Sequence, residues 1–118
     1  MHELAICQAL IVELENIATQ HIGKKIVAVN LKVGPLSGVE PKLLESAFSI
    51  ASCNTIADGA ILTVTQSGIV VRCNQCHKES KASVNRLICA DCGHWQTELL
   101  SGDEMLLNQV ELEEIDNF

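Results

Sequence analysis

The chain has 118 residues, enough for one modest domain, or for one domain carrying a small metal-bound module. Apolar residues make up 47%, yet there is no Tyr, one Trp (Trp95) and two Phe, so the core has to be aliphatic. A net charge of −7 argues against phosphate backbones as the main partner, and no run of about 18 apolar residues is present to span a membrane. Glu3 and Glu13 stand where a secretory signal would carry basic residues, so a reducing cytoplasm is the expected compartment.

Residues 3 to 21 read as an amphipathic helix, with Leu4, Cys7, Ile11, Leu14 and Ala18 at three- and four-residue spacing. Cys7 on this stripe reads as a buried thiol acting as a small hydrophobe. From Ile26 to Val33 the period changes to two. Val27, Val29, Leu31 and Val33 alternate with Ala28, Asn30 and Lys32, the pattern of a strand with one buried face. Gly34-Pro35-Leu36-Ser37-Gly38 is a turn-rich loop, and Pro41 sits where a first helical residue belongs. The helix from there to about Ala51 is expected to bury Leu44, Ala47, Phe48 and Ala51, with Cys53 as a second packed thiol. Asp58-Gly59 turns the chain into a strand from about Ala60 to Thr65. The cysteine-rich stretch that follows has short strand-like runs such as Gly68-Ile69-Val70-Val71. After Ser101-Gly102 a last strand, about Met105 to Leu112, places Leu106, Val110 and Leu112 on one face. Glu104, Glu111, Glu113, Glu114 and Asp116 crowd this end and read as a solvated face or tail.

This order predicts an α+β fold: a small two-helix, three-stranded sheet domain interrupted by an inserted zinc-ribbon-like module. The domain takes residues 1–67 plus 101–118, and the module takes 68–100. A sheet completed by a late returning strand also permits two copies to exchange that strand, so a homodimer is one arrangement open to it.

The most specific local signal is a pair of C-x-x-C motifs. Cys73-Asn74-Gln75-Cys76 and Cys89-Ala90-Asp91-Cys92 are separated by twelve residues, slightly under the usual interval of about 15–20. A two-residue gap lets a tight turn aim both thiolates at one ion, and two such turns build a tetrahedral S4 cage suited to a structural Zn2+. Gly93 follows the second pair, where a residue able to take φ > 0 turns backbone N–H groups toward sulfur. His77 and His94 border the pairs, either as exposed turn residues or as hydrogen-bond partners of the cage. A redox disulfide needs one C-x-x-C at a helix start, and a haem attachment through Cys73, Cys76 and His77 leaves the second pair unexplained.

The chain also begins Met1-His2-Glu3. A bulky second residue disfavours removal of the initiator Met, leaving a free amine next to an imidazole. The Met1 amine and the His2 and Glu3 amide nitrogens form consecutive chelate rings, and the His2 imidazole can close a fourth position. Such a nitrogen set suits Ni(II) or Cu(II). A solvated terminal histidine is the competing reading.

The Met1-His2-Glu3-Leu4 start and the Gly34-Pro35-Leu36-Ser37-Gly38-Val39-Glu40 loop precede the paired C-x-x-C module. Glu98-Leu99-Leu100-Ser101-Gly102-Asp103-Glu104-Met105 follows it. In that order the chain resembles, over essentially its whole length, the nickel metallochaperones of the HypA/HybF hydrogenase maturation family. The resemblance implies a non-enzymatic protein that carries Ni2+ as cargo to the large-subunit precursor of [NiFe]-hydrogenase, working with a maturation GTPase, and in some organisms with urease maturation factors. It implies that His2 is the essential nickel ligand, helped by backbone nitrogens of Met1 and Glu3. Glu40 stands where some members carry Asp and is a candidate for a supporting contact near the nickel. Cys73, Cys76, Cys89 and Cys92 match the family's structural zinc site. One departure is Leu107, where many relatives carry a basic residue. Two other functions compete: a zinc-ribbon module that binds protein or nucleic acid without nickel delivery, and an electron carrier with iron in the S4 cage.

Overall fold

A computed structural model describes residues 2–115. In chain order it contains α1 (His2–Thr19), β1 (Lys24–Val33), α2 (Pro41–Ala51), β2 (Ile61–Gln66), β3 (Ile69–Cys73), β4 (Glu79–Ala82), β5 (Thr97–Ser101) and β6 (Met105–Glu114). The strands make two three-stranded sheets, ordered β2-β1-β6 and β4-β3-β5. The expected α+β architecture is present: two helices, a sheet completed by the last strand, and a second sheet around the cysteines. No helix among the described residues is long and apolar enough to cross a membrane.

The chain divides into two compact units, residues 1–31 with 40–64 and 107–118, and residues 32–39 with 65–106. In the first, α1 buries Cys7, Leu10, Ile11 and Leu14 at the intervals that share one helix face. Leu4 and Ala18, expected on the same stripe, are half-buried. In α2, Pro41 fits the first turn because its missing N–H has no helical partner there, and Leu44 and Phe48, four residues apart, are buried. Ala47 and Ala51 are half-buried at the edge of that face. The helices pack together, and the Cys7 thiol reaches the Leu44 carbonyl at 3.5 Å. Cys53 departs from the expected packed thiol. It is exposed, and its thiol donates one turn back to the Ser49 carbonyl at 3.2 Å.

Strand β1 is the middle strand of its sheet, which is why it carries the most regular apolar pattern. Val29, Leu31 and Val33 are buried as expected, but Ile26 replaces Val27 at the start of the strand. The Ile26 N–H donates to the Ile56 carbonyl at 3.3 Å, so the strand enters by pairing with the connection that follows α2. Polar side chains link the three strands: the Asn30 amide donates to Thr63 Oγ1 at 2.8 Å and accepts from Asn108 Nδ2 at 2.9 Å. In β6, Val110 and Leu112 are half-buried, whereas Leu106 is 54% exposed and Leu107 is half-buried in its place. The alternation breaks between Leu107 and Val110, where two consecutive residues are exposed.

In the second unit β3 pairs antiparallel with both β4 and β5, with an irregularity in the β5 register between Val70 and Val71. Its buried apolar side chains are Val33, Ile69, Val71, Cys73 and Cys89. Three separate segments meet beside this sheet. The Gly34 N–H donates to the Glu104 carbonyl at 2.8 Å, the Leu36 N–H to Gly102 at 2.6 Å, and the Ser67 N–H to Val33 at 3.0 Å. A Cβ on Gly34 would overlap the Gly102 backbone carbonyl and lie 2.6 Å from Glu104 Oε1. Because backbone cannot swing aside like a flexible side-chain end, Gly34→Ala is expected to destabilise the protein by about 1–3 kcal/mol. A shift of the urea midpoint at constant slope would register this, and an unchanged midpoint would contradict the close approach.

Candidate metal centres

Among the described residues one group of side chains is arranged to hold a metal: Cys73, Cys76, Cys89 and Cys92, whose sulfurs all lie within 4.8 Å of one another. Cys73 and Cys92 sulfurs are 3.5 Å apart, and those of Cys76 and Cys89 3.6 Å. Zn–S bonds of about 2.3 Å in a tetrahedron require S···S edges of about 3.8 Å, so the cluster matches a zinc tetrathiolate.

The two halves are built alike. The Cys73 N–H donates to the Lys78 carbonyl and its carbonyl accepts from His77, both at 3.0 Å; Cys89 makes the same pair of bonds with His94 and Gly93, both at 3.0 Å. The residue after the second cysteine of each pair must take positive φ to close this turn, and Gly93 does so at 78°. His77 holds the equivalent place at 63°. Its backbone, in a conformation few non-glycine residues adopt, shapes the knuckle while its ring is exposed.

Backbone N–H groups supply the sulfur contacts. Gln75 and Cys76 donate to Cys73 Sγ at 3.3 and 3.4 Å, and Cys92 donates to Cys89 Sγ at 3.4 Å. The Cys92 N–H, with that of Asp91, pulls the Cys89 thiol down to about 6 against the opposing effect of burial. The Cys76 N–H likewise lowers Cys73. Cys92 is drawn down by the His94 backbone N–H, but its sulfur neighbour Cys73, burial, and then Cys89 and Cys76 outweigh that and push it up to about 12. Cys76 is similarly raised, burial and the Cys89 and Cys73 sulfurs overcoming the Lys78 N–H. Without a cation, then, two thiols lie below their ordinary value and two lie above it, where neighbouring sulfurs and burial resist the loss of their protons. A divalent metal replaces those protons and removes the repulsion. Four thiolates complete a tetrahedral ion and leave no open position, so this centre is structural in character.

The rings of the flanking histidines contribute elsewhere. His94 is half-buried, with its Nε2 3.4 Å from Gln96 Oε1 and its ring 6.1 Å from Trp95. It is the His94 backbone, not the imidazole, that reaches Cys92.

At the other end of the chain His2 is the first residue of α1 and is exposed. Met1 lies outside the described residues. Glu3 is buried, and its carboxyl is held below the usual range first by its own backbone N–H and then by the Glu40 N–H. The structure therefore brings Glu3 and Glu40 together through the Glu40 backbone. Glu40 is the N-cap of α2, and its own side chain makes no cap bond. The first N–H groups of any helix lack intrahelical partners, and here that of Glu3 is met by its own carboxylate.

Glu104 is a residue whose role the sequence did not reveal. Placed with the solvated acids of the C-terminal end, it is instead half-buried, accepting from Ser67 Oγ at 2.7 Å, Ser101 Oγ at 2.8 Å and the Gly102 N–H at 3.0 Å. Ser67, then Ser101 and backbone N–H groups, hold its carboxyl at about 2 against an ordinary 4.5. A folded-state value below the unfolded one stabilises the fold above about 4.5, and that contribution disappears as pH falls toward about 2. Glu104→Gln is expected to lower stability at neutral pH and to flatten the loss over that acid interval relative to wild type. Denaturant titrations of both proteins across the interval test this; zinc loss in acid affects both, so their difference reports Glu104. Parallel curves would refute it.

These elements define a class: a small α+β protein with a closed tetrathiolate zinc module and an exposed histidine at its N-terminus. A family profile described as hydrogenase/urease nickel incorporation, metallochaperone, hypA matches residues 1–112. The chain belongs to the HypA family. It is 43% identical over 112 residues to the hydrogenase maturation factor HypA of Nitrosospira multiformis, covering 95% of this chain and 97% of that one. Its fold is similar to the solution structure of the Ni metallochaperone HypA from Helicobacter pylori, with a TM-score of 0.72 at 23% identity over 96% and 98% of the two chains. A second solution structure of a HypA protein matches with a TM-score of 0.75 at 25% identity over 96% and 97%.

Proposed function

We propose that this protein is a nickel metallochaperone that binds Ni(II) at its N-terminus and delivers it for maturation of [NiFe]-hydrogenase, with zinc as a structural cofactor. The observation that carries this reading is the separation of two metal chemistries. The S4 cluster is closed and suits a resident ion, so an exchangeable cargo needs other ligands. The exposed His2 imidazole is the candidate ligand, together with the Met1 amine and the Glu3 amide nitrogen. Glu40 supports it by fixing Glu3.

On this reading residues 1–67 with 101–118 form the nickel-binding domain and 68–100 the zinc module. Cargo transfer makes and breaks metal–ligand bonds without converting a substrate, so the protein is not an enzyme. Its partners are a maturation GTPase and the hydrogenase large-subunit precursor in the cytoplasm, with urease maturation factors as a further recipient. The family description, which names both hydrogenase and urease nickel incorporation, supports this set. The test is metal analysis of untagged protein supplied with nickel, wild type against His2→Ala. Nickel retained by the variant at wild-type affinity would move the cargo site elsewhere.

A further inference from the structure

The outward side of α2 carries an apolar stripe that neither metal chemistry uses. Leu43 and Ile50 are 54% and 71% exposed, and their spacing of two turns puts them on one face of the helix. Exposed Ser46 and half-buried Ala47 lie between them. Lys42 and Glu45, one and two residues from Leu43, fall on other faces. The solvent side of a surface helix ordinarily carries polar and charged groups. On α1 that rule holds: the exposed Val12 is bordered at three- and four-residue spacing by Gln8, Glu15 and Asn16, all exposed.

The stripe starts at the end of the helix pair that carries His2. The Glu3 carboxyl accepts from the Glu40 N–H, and the Cys7 thiol reaches the Leu44 carbonyl at 3.5 Å. Two such contacts, one turn apart on both helices, set α1 and α2 side by side and running the same way from this end. Leu43 lies in the first turn of α2, just after the N-cap Glu40 and Pro41. The rise from Glu40 to Ile50 is about 15 Å. A protein that takes a metal ion from His2 by direct ligand exchange has to bring its own donor atoms within bonding distance of the ion, and so covers this end of the pair. Specific protein contacts bury about 800 Å² on each partner, a disc of about 16 Å radius, which from this end reaches Ile50.

We propose that Leu43, Ala47 and Ile50 form the docking face for the protein that accepts nickel from His2, a partner that presents an uncharged apolar surface beside its own nickel-binding donors. Covering the Leu and Ile side chains removes apolar area from water and so favours the complex. A stripe without charge adds no like-charge repulsion, which matters in a chain of net charge −7. This face rests on the nickel site proposed above, but it supplies none of the ligands. Its loss therefore slows delivery and leaves nickel affinity intact.

The test compares the zinc-loaded, nickel-loaded full chain with the same chain carrying Leu43→Gln and Ile50→Gln. Gln is a good helix former and uncharged, so α2 and the charges around His2 are kept. Nickel is followed into three acceptors: a small chelator, the maturation GTPase and the hydrogenase large-subunit precursor. From wild type, at least one of the two proteins is expected to draw nickel at a rate that keeps rising with acceptor concentration, the mark of exchange within a complex. The double variant should slow that transfer at least about tenfold, or about 1.4 kcal/mol, with nickel affinity and transfer to the chelator unchanged. Transfer to the protein at the wild-type rate would overturn the proposal, as would equal slowing toward the chelator. So would wild-type transfer that levels off at the rate of spontaneous nickel release for both proteins. Self-association of wild type that the double variant abolishes would make the occupant a second copy and overturn it too. Wild type that binds no nickel would instead remove the nickel site itself, an outcome read before any acceptor is added.

Discussion

Replacing Cys89 by Ser is expected to empty the zinc site and unfold residues 68–100, while α1 and α2 remain helical. Cys89 is almost fully buried and its sulfur is 3.6 Å from that of Cys76, so no other side chain can take its place in the tetrahedron. The unit it serves has a small apolar interior: Val33, Ile69, Val71 and two of the cysteines themselves. A core of that size does not repay the entropy of ordering the chain around it, whereas structural zinc binding is worth about 10–16 kcal/mol in small domains. Zinc content should fall from about one per chain to near zero. Amide resonances of β3, β4 and β5 should collapse toward random-coil positions, and a strong chelator should do the same to wild type. Well-dispersed β3–β5 resonances in zinc-free protein would show that the small core suffices by itself.

The second large effect is expected at the opposite end of the chain, where His2→Ala should abolish nickel binding and leave zinc near one per chain. The imidazole is exposed and is the one side-chain nitrogen in the proposed ligand set, the rest being backbone. Loss of a direct ligand should exceed the roughly 10–100-fold cost of losing an outer hydrogen-bond partner of a metal site. Extending the N-terminus by one residue should be as severe, because it moves the amine out of the chelate while keeping the imidazole. Nickel binding displaces protons from its nitrogen ligands, so affinity in wild type should also decline as the solution is acidified below neutrality. Isothermal titration at several pH values reads all three effects. A pH-independent affinity, or an extended protein that still binds, would rule out this ligand set.

Much of this architecture was legible because its signals are local. Proline at the start of α2, the three- and four-residue stripe of α1 and the alternation in β1 each report one element's own geometry. The two knuckles were legible for the same reason: a C-x-x-C turn places its sulfurs by backbone bonds within six residues, from Cys73 to Lys78 and from Cys89 to His94. Failures came where burial depends on distant chain. Val27 and Leu106 fit a period-two pattern, yet Ile26 and Leu107 are the more buried, because strand neighbours set which face is covered. Cys53 looked like Cys7 in composition, but only Cys7 has a helix packed over it.

By itself the sequence determined the chemistry of this protein. It supplied four soft ligands at a spacing that closes a tetrahedron, and a histidine at position two. It also determined the order of elements that makes the cysteine module an insertion. Only the tertiary structure decided what binds those parts into place. Glu104 and Ser67 lie 37 residues apart, and Gly34 reaches Gly102 and Glu104 from farther still. Nothing in the composition of those segments separates a solvated acid from one that accepts three hydrogen bonds. That difference arises only when three remote backbones converge closely enough to exclude a Cβ and desolvate a carboxylate.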